Sequence, residues 1–385
     1  MTLQITWEEG SRLRRSHLGK VRRVVVKVGS AVLTNDSGLD LAVIDNLARG
    51  LVYLQDSGRE VILVSSGAVA AGRKRLNLDM NRNLSLKEKQ GTAAVGQSCL
   101  MRVYEDTFDR FDRKVAQILL THDDLANRNR YLNIRNTMLT LLDWGILPII
   151  NENDTVSVEE LRFGDNDTLA AMISNVIEAD LLVCLTDVDG LFTGNPRLDP
   201  AARPVHTVAK VDKQVENMAG HVVGALGTGG MRSKILAARM VAARGGGSFI
   251  GPGREVDILQ RLFNNEPVGT FFLPEAEKMQ GRKHWIAYVL RPKGALVLDK
   301  GACRAVLKNG KSLLPSGILE VRGNFRRGEP VQCLDESGIL LAVGLTDYNA
   351  ADLARIQGIN TSRIEEILGY KDGDEVIHRD NLVIL

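Results

Sequence analysis

Leu226-Gly227-Thr228-Gly229-Gly230-Met231-Arg232-Ser233-Lys234 is a glycine-rich turn running into a helix that carries a lysine in its first turns. The free N–H groups at a helix start favour anions, and glycine lets the backbone approach a phosphate closely. Lys234 adds a mobile positive charge. Taken alone, such a turn reads equally as a loop before a core helix. A second lysine shifts the balance. Arg23-Val24-Val25-Val26-Lys27-Val28-Gly29-Ser30 contains a β-branched run that reads as a buried strand. Buried strands avoid lysine unless it has a partner. Lys27 stands at the end of that run, just before a glycine turn; by itself it also reads as a solvated lysine capping a strand. The chain holds no G-x-x-x-x-G-K-[ST] P-loop, and neither segment is a dinucleotide fingerprint.

Carboxylates and amides supply the other half of a site. Asn151-Glu152-Asn153-Asp154 and Gly164-Asp165-Asn166-Asp167 bracket a loop or hairpin over Thr155–Phe163. Asp167 precedes an apolar helical stretch, so helix N-capping is its alternative role. Asp187-Val188-Asp189-Gly190 lacks the remaining spacing of an EF-hand, and the six histidines have no metal-ligand spacing. Ser66 has no G-x-S-x-G context for a nucleophile. Two phosphate-friendly lysines, glycine loops and carboxylates suggest phosphoryl transfer. A carboxylate acceptor fits best: it is already ionised at pH 7 and needs positioning and charge neutralisation, not a general base. No complete kinase-type H-R-D-x-x-x-x-N catalytic loop is present to deprotonate an alcohol.

These residues need a scaffold that brings them together. Strand-like runs at Val24–Val28, Val61–Ser65, Val115–Leu120, Leu147–Asn151, Leu181–Thr186 and Gly247–Ile250 alternate with helical stretches. The helical stretches are Leu41–Ser57, Leu86–Phe111, Arg130–Trp144, Asp167–Glu178 and Met231–Arg244. Such alternation predicts an α/β layer fold with a mostly parallel sheet, whose ligands bind at the carboxyl ends of strands. Lys27, Ser66-Gly67, Asn151 to Asp154 and Thr186-Asp187 all fall at such ends. After the short helix predicted at Asp257–Phe263 the pattern changes. Apolar runs at Ala295–Leu298, Ala305–Val306, Gly317–Val321, Pro330–Leu334 and Leu340–Leu345 alternate with glycine turns. They predict a compact β-rich barrel with helices near Asn349–Gly358 and Ser362–Leu368. The charged stretch Glu275–Lys283 reads as a linker. The expected division is an N-terminal extension over 1–20, a main domain over 21–277, and a linker with a second domain over 278–385. The extension, with Arg12, Arg14, Arg15 and Lys20, reads as partly ordered.

Composition sets outer bounds. The chain has 385 residues, 44% hydrophobic and 25% charged, with a formal net charge of +2. That is an ordinary globular balance with no bulk attraction to nucleic acid or membrane. No signal peptide or membrane-spanning run is recognisable. Cys99, Cys184, Cys303 and Cys333 lie far apart with no C-x-x-C pair, so free thiols in a reducing cytoplasm are expected.

The chain resembles the glutamate 5-kinases of the amino acid kinase family, followed by a PUA domain. The resemblance runs through nearly all of residues 21–385. In the first part it is carried by Val26 to Ser30, Ser65-Ser66-Gly67-Ala68-Val69-Ala70-Ala71-Gly72, Ile150 to Asp154, Gly164 to Asp167, Leu185-Thr186-Asp187 and Gly227 to Met231. Gly317 to Phe325 and His378-Arg379-Asp380-Asn381-Leu382 resemble the PUA part. It implies a three-layer α/β/α sandwich with a mostly parallel sheet, plus a small β-rich pseudo-barrel. The activity implied is ATP-dependent phosphorylation of the γ-carboxylate of L-glutamate, the first step of proline biosynthesis, with proline inhibiting at or near the glutamate site. By the same resemblance, Lys27 and Lys234 stabilise the transferring group and Asp167 holds both lysines. Ser66, Asp154 and Asn166 bind glutamate, with Gly67 and Asn151 lending donors. ATP is bound by Lys27, Gly29, Thr186, Asp187 and the loop Thr228, Gly229, Gly230, Met231, Arg232, Ser233, Lys234. Mg2+ accompanies ATP, and no residue is assigned as a metal ligand. A homodimer or homotetramer in the cytoplasm is implied, with glutamate-5-semialdehyde dehydrogenase receiving the labile acyl phosphate. Ser65 departs from the threonine often found there, and Arg232 is a further departure.

PUA domains in general resemble RNA-binding modules, so RNA binding is the rival reading. Residues 284–385 carry 13 Lys+Arg against 13 Asp+Glu, which is not the basic footprint of a nucleic-acid binder. RNA is therefore not expected as the main partner. A kinase relative acting on acetylglutamate, carbamate or a nucleotide monophosphate is the other alternative.

Overall fold

The computed structural model describes residues 5–35, 37–79, 82–156, 166–196, 198–219, 230–276 and 279–384. The chain divides into two compact units, residues 1–278 and 279–385. The first begins with α1 (Trp7–Leu18), β1 (Arg23–Val28), α2 (Ser30–Leu33), a small hairpin β2 (Thr34–Asn35) and β3 (Gly38–Leu39), and α3 (Leu41–Asp56). It continues through β4 (Glu60–Ser65), α4 (Ala68–Arg75), α5 (Leu86–Asp109), β5 (Val115–Leu120), α6 (His122–Ala126), α7 (Arg128–Asp143) and β6 (Leu147–Glu152). Then follow α8 (Asn166–Val176), β7 (Leu181–Thr186), β8 (Thr207–Val208), α9 (Lys213–Met218), α10 (Met231–Ala242), β9 (Gly247–Pro252), α11 (Ile258–Phe263) and β10 (Thr270–Phe272).

The strands form one sheet in the order β5-β6-β4-β1-β7-β9-β10-β8. From β5 to β9 every pairing is parallel; β10 runs antiparallel to β9. A parallel sheet buried on both faces reads as unbroken apolar runs, and β1, β4 and β7 are such runs. Helices α3, α5 and α11 cover one face and α8 and α10 the other, giving three layers. Side chains alternate along β1. Val24, Val26 and Val28 enter the core formed with α3 and α5, so Lys27 projects to the opposite face, toward α8 and α10.

Within the extension expected to be partly ordered, Trp7–Leu18 form helix α1, capped by the Thr6 hydroxyl, which accepts from Glu9 N. It docks on the sheet edge. Arg14 is buried, donating to the Val268 carbonyl at 3.2 Å, and its guanidinium lies 5.8 and 5.9 Å from the ring centres of Phe249 and Phe271. The sequence looked loose because a buried arginine over two aromatic rings has no local signature.

Helices α4 and α5 cross closely enough that a Cβ on Gly96 would strike the Ala68 carbonyl and one on Gly72 the Thr92 carbonyl. Gly96→Ala should therefore destabilise the protein by about 1–3 kcal/mol, read as a lowered Tm. An unchanged Tm would mean that this crossing is not tightly packed.

The second unit holds α12 (Gly281–His284), β11 (Gly294–Leu298), α13 (Lys300–Asn309), β12 (Ile318–Gly323), β13 (Pro330–Leu334), β14 (Leu340–Leu345), α14 (Ala350–Ile356), α15 (Ile364–Leu368) and β15 (Leu382–Ile384). The sheet order is β12-β11-β13-β14-β15, antiparallel except for β11 with β13. Its core gathers Leu296, Ile318, Val331, Cys333, Tyr348 and Leu353. Ala305–Val306, expected as an apolar strand-like run, lies inside α13, which Asp299 caps by accepting from Ala302 N at 2.6 Å. A two-residue apolar run fits either element, and the cap decides for helix.

Candidate active site

The carboxyl ends of neighbouring strands bring the polar residues together. In register, Lys27 of β1 pairs with Val64 of β4 and Cys184 of β7. Asn151 is the penultimate residue of β6, Ser66 and Gly67 follow β4, and Thr186 closes β7. Gly67 has φ +102°, a left-handed conformation that glycine adopts without strain, and it starts α4.

At the centre is a buried carboxylate gripped by two lysines. Lys27 Nζ lies 2.5 Å from Asp167 Oδ1 and Lys234 Nζ 2.9 Å from Asp167 Oδ2. Asp167 is 0% exposed and each lysine 5%. Ser233 Oγ also donates to Asp167 Oδ2 at 2.8 Å. Asp167 is the second residue of α8, and its carboxylate faces these partners instead of capping the helix. Burial pushes its pKa up, but the ammonium groups of Lys27 and Lys234 and their hydrogen bonds more than offset this and hold it down to about 2. The three side chains sum to one positive charge in a buried place, an arrangement suited to an arriving anion. Gly230 precedes α10, whose first turn carries Met231, Arg232, Ser233 and Lys234.

Beside the lysines lies a cluster of amides and hydroxyls. Asn166 Nδ2 donates to Ser66 Oγ at 2.8 Å, to the Ser65 carbonyl at 3.0 Å and to Asn151 Oδ1 at 3.0 Å. Asp154, two residues beyond β6, is half-buried. On the other side, Gly29 N donates to the Leu185 carbonyl at 3.3 Å. Thr186 Oγ1 donates to Asp187 Oδ1 at 3.1 Å, and Asp187 itself is exposed. Thr228 and Gly229, with Gly164 and Asp165 of the other motif, lie outside the described residues.

Sequence reasoning missed three supports. Gln97 of α5 accepts from Asn151 Nδ2 at 2.9 Å, and Tyr104 shares a 2.8 Å hydrogen bond with Ser65 Oγ. Arg254 ties down the turn after Ser30, donating to the Ala31 carbonyl at 3.1 Å and pairing with Asp40 at 3.2 Å. A polar residue interrupting the buried stripe of α5 is the only local signal any of them gives. A cavity of about 650 Å3 in the second unit, between α13 and residues 375–379, includes none of the site residues named above.

The Amino acid kinase family matches residues 22–250, and the PUA domain matches residues 294–368. A glutamate 5-kinase from Desulfotalea psychrophila is 58% identical over 97% of this chain and 100% of its own length. Glutamate 5-kinases from Geobacter sp. (strain M21) and Syntrophus aciditrophicus are 51% and 48% identical over 97% of the chain, covering 100% and 96% of their own lengths. The chain belongs to the glutamate 5-kinase family. It is thus a kinase that carries a C-terminal PUA domain. A solved UMP kinase from Bacillus anthracis covers 66% of this chain and 97% of its own at 16% identity and a TM-score of 0.47, too distant to inform residues or function.

Proposed function

We propose that the protein transfers the γ-phosphoryl group of ATP to the γ-carboxylate of L-glutamate, giving L-glutamyl 5-phosphate, the first step of proline biosynthesis. The observation that carries this reading is the buried Lys27–Asp167–Lys234 cluster beside the Ser66–Asn151–Asn166 cluster. The γ-carboxylate of glutamate is the nucleophile. It is ionised at neutral pH, so no side chain need take a proton from it. Lys27 and Lys234 neutralise charge on the transferring phosphoryl oxygens. Asp167 fixes both ammonium groups before substrate arrives, so little reorganisation is needed during transfer. Ser66, Asn166 and Asp154 hold glutamate, Asp154 pairing with its α-ammonium, while Asn151 and Gly67 support them. Gly29, Thr186, Asp187 and the stretch Thr228–Lys234 hold ATP.

No group of three or more His, Cys, Asp or Glu suited to a metal occurs among the described residues, and Asp167 is taken by two lysines. Mg2+ fits as a companion of the ATP phosphates, its usual mode, where it would supply charge neutralisation. Proline, sharing the α-carboxylate and an ammonium, inhibits by competing at or near the glutamate pocket. The acyl phosphate passes to glutamate-5-semialdehyde dehydrogenase. No helix among the described residues is long and apolar enough to cross a membrane. We place the enzyme in the cytoplasm as a homodimer or homotetramer assembled through its kinase domain.

Asp154→Ala and Asn166→Ala test the division of the site. Each should raise the glutamate KM by roughly tenfold or more with the ATP KM little changed, since each removes a charged or amide contact to glutamate alone. A rise confined to the ATP KM would overturn the division. All the proposed chemistry lies before residue 278, so a chain ending there should fold and retain phosphoryl transfer. A native-sized, folded truncation without activity would show that the second domain completes the site.

A further inference from the structure

Helix α5 reaches the Ser66–Asn151–Asn166 cluster through two side chains, Gln97 on Asn151 and Tyr104 on Ser65. Asn151 is 4% exposed, and its side-chain amide makes hydrogen bonds in three directions. Its Oδ1 accepts from the Glu152 backbone N–H at 2.9 Å and from Asn166 Nδ2 at 3.0 Å. Its Nδ2 donates to Gln97 Oε1 at 2.9 Å. The Glu152 N–H cannot reverse its polarity, and neither can the Ser65 carbonyl that accepts from Asn166. These two backbone groups fix which end of each amide points where. Asn151 Nδ2 must then face α5, where it meets the Gln97 carbonyl oxygen. Asn166 also donates to Ser66 Oγ, which leaves the Ser66 proton free to be donated elsewhere. Two turns further along the same face of α5, at i+7, Tyr104 holds Ser65, the residue before Ser66.

We propose that Gln97 is a positioning residue for the acceptor substrate: it holds Asn151 so that Asn166 and Ser66 present their polar groups to the amino-acid carboxylate and ammonium. This rests on the reading of Ser66, Asn151 and Asn166 as the glutamate site. Removing the Gln97 acceptor leaves a donor on a buried amide without a partner, a costly state that side-chain rotation relieves. Rotation of Asn151 withdraws the acceptor from Asn166 and loosens the pocket. Among the described residues, the hydrogen bonds of Gln97, Asn151 and Asn166 given above do not include Lys27, Asp167 or Lys234, so the main effect is expected on acceptor binding.

The test compares Gln97→Met, which keeps the length but loses the acceptor, with Gln97→Glu, which keeps an acceptor at the same reach. Both are made in the full chain, alongside Asn166→Ala and the double variant Gln97→Met/Asn151→Ala. Gln97→Met should raise the glutamate KM roughly tenfold with kcat, ATP KM and Tm nearly unchanged, and Gln97→Glu should recover most of the loss. In the Asn151→Ala background Gln97→Met should add little, because its target is gone. If Asn166→Ala raises the glutamate KM and Gln97→Met does not, the positioning role falls while the site stands. If neither does, the site reading fails and takes the role of Gln97 with it. A parallel loss of Tm and kcat in Gln97→Met, not recovered by Gln97→Glu, would make Gln97 a packing residue and overturn the proposal.

Discussion

Asp167→Asn should lose turnover by on the order of a hundredfold or more and cost the protein about 3–5 kcal/mol of stability. The variant keeps the shape of the side chain and removes its charge. Lys27 and Lys234, each 5% exposed, would then share a buried place without the carboxylate that pairs them. Two buried ammonium groups without a counter-charge repel and lose hydration, which is the larger part of the cost. Steady-state turnover and urea unfolding at pH 7 check both halves. The wild-type pH dependence has a definite sign. The folded-state pKa of Asp167 is depressed to about 2, so its contribution stands above the ordinary carboxylate range and is lost as pH falls through about 2. In Asp167→Asn that acid-side loss should disappear. Near-normal turnover in this variant would remove Asp167 from the catalytic centre.

Lys27→Ala and Lys234→Ala should each lower kcat by on the order of a hundredfold, with a smaller stability loss than Asp167→Asn. Either variant leaves Asp167 one cation, so no buried charge is stranded. What is lost is positive charge where negative charge accumulates during transfer, which appears in kcat more than in KM. Turnover with saturating ATP and glutamate measures it. A variant with unchanged kcat but a raised ATP KM would make that lysine a binding group only.

The central strands were readable because a parallel sheet buried on both faces leaves continuous apolar runs; Leu181–Thr186 is one, with all six residues buried. Thr207–Val208 and Thr270–Phe272 escaped notice because two or three residues cannot display a period. Helix α1 was obscured by its charges, since what seats Arg14 is Phe249, Phe271 and Val268, all more than 200 residues away in sequence. In the site, Lys27 was conspicuous as a lysine inside a valine run. Its meeting with Asp167 was not written in local pattern, because 140 residues separate them and only the sheet order and α8 bring them together. Gln97 was the least visible. A glutamine between Gly96 and Ser98 on a long helix reads as surface until its partner Asn151 on β6 is known.

Hydroxylamine trapping tests the central claim most directly. An acyl phosphate reacts with hydroxylamine to give a hydroxamate, whereas a phosphate ester or ADP alone does not. With ATP, Mg2+ and a panel of L-glutamate, N-acetylglutamate, L-aspartate and a nucleotide monophosphate, the account predicts hydroxamate from L-glutamate well above the others. It also predicts that the signal is lost in Lys27→Ala. Hydroxamate from N-acetylglutamate instead, or ADP release with no hydroxamate from L-glutamate, would contradict it.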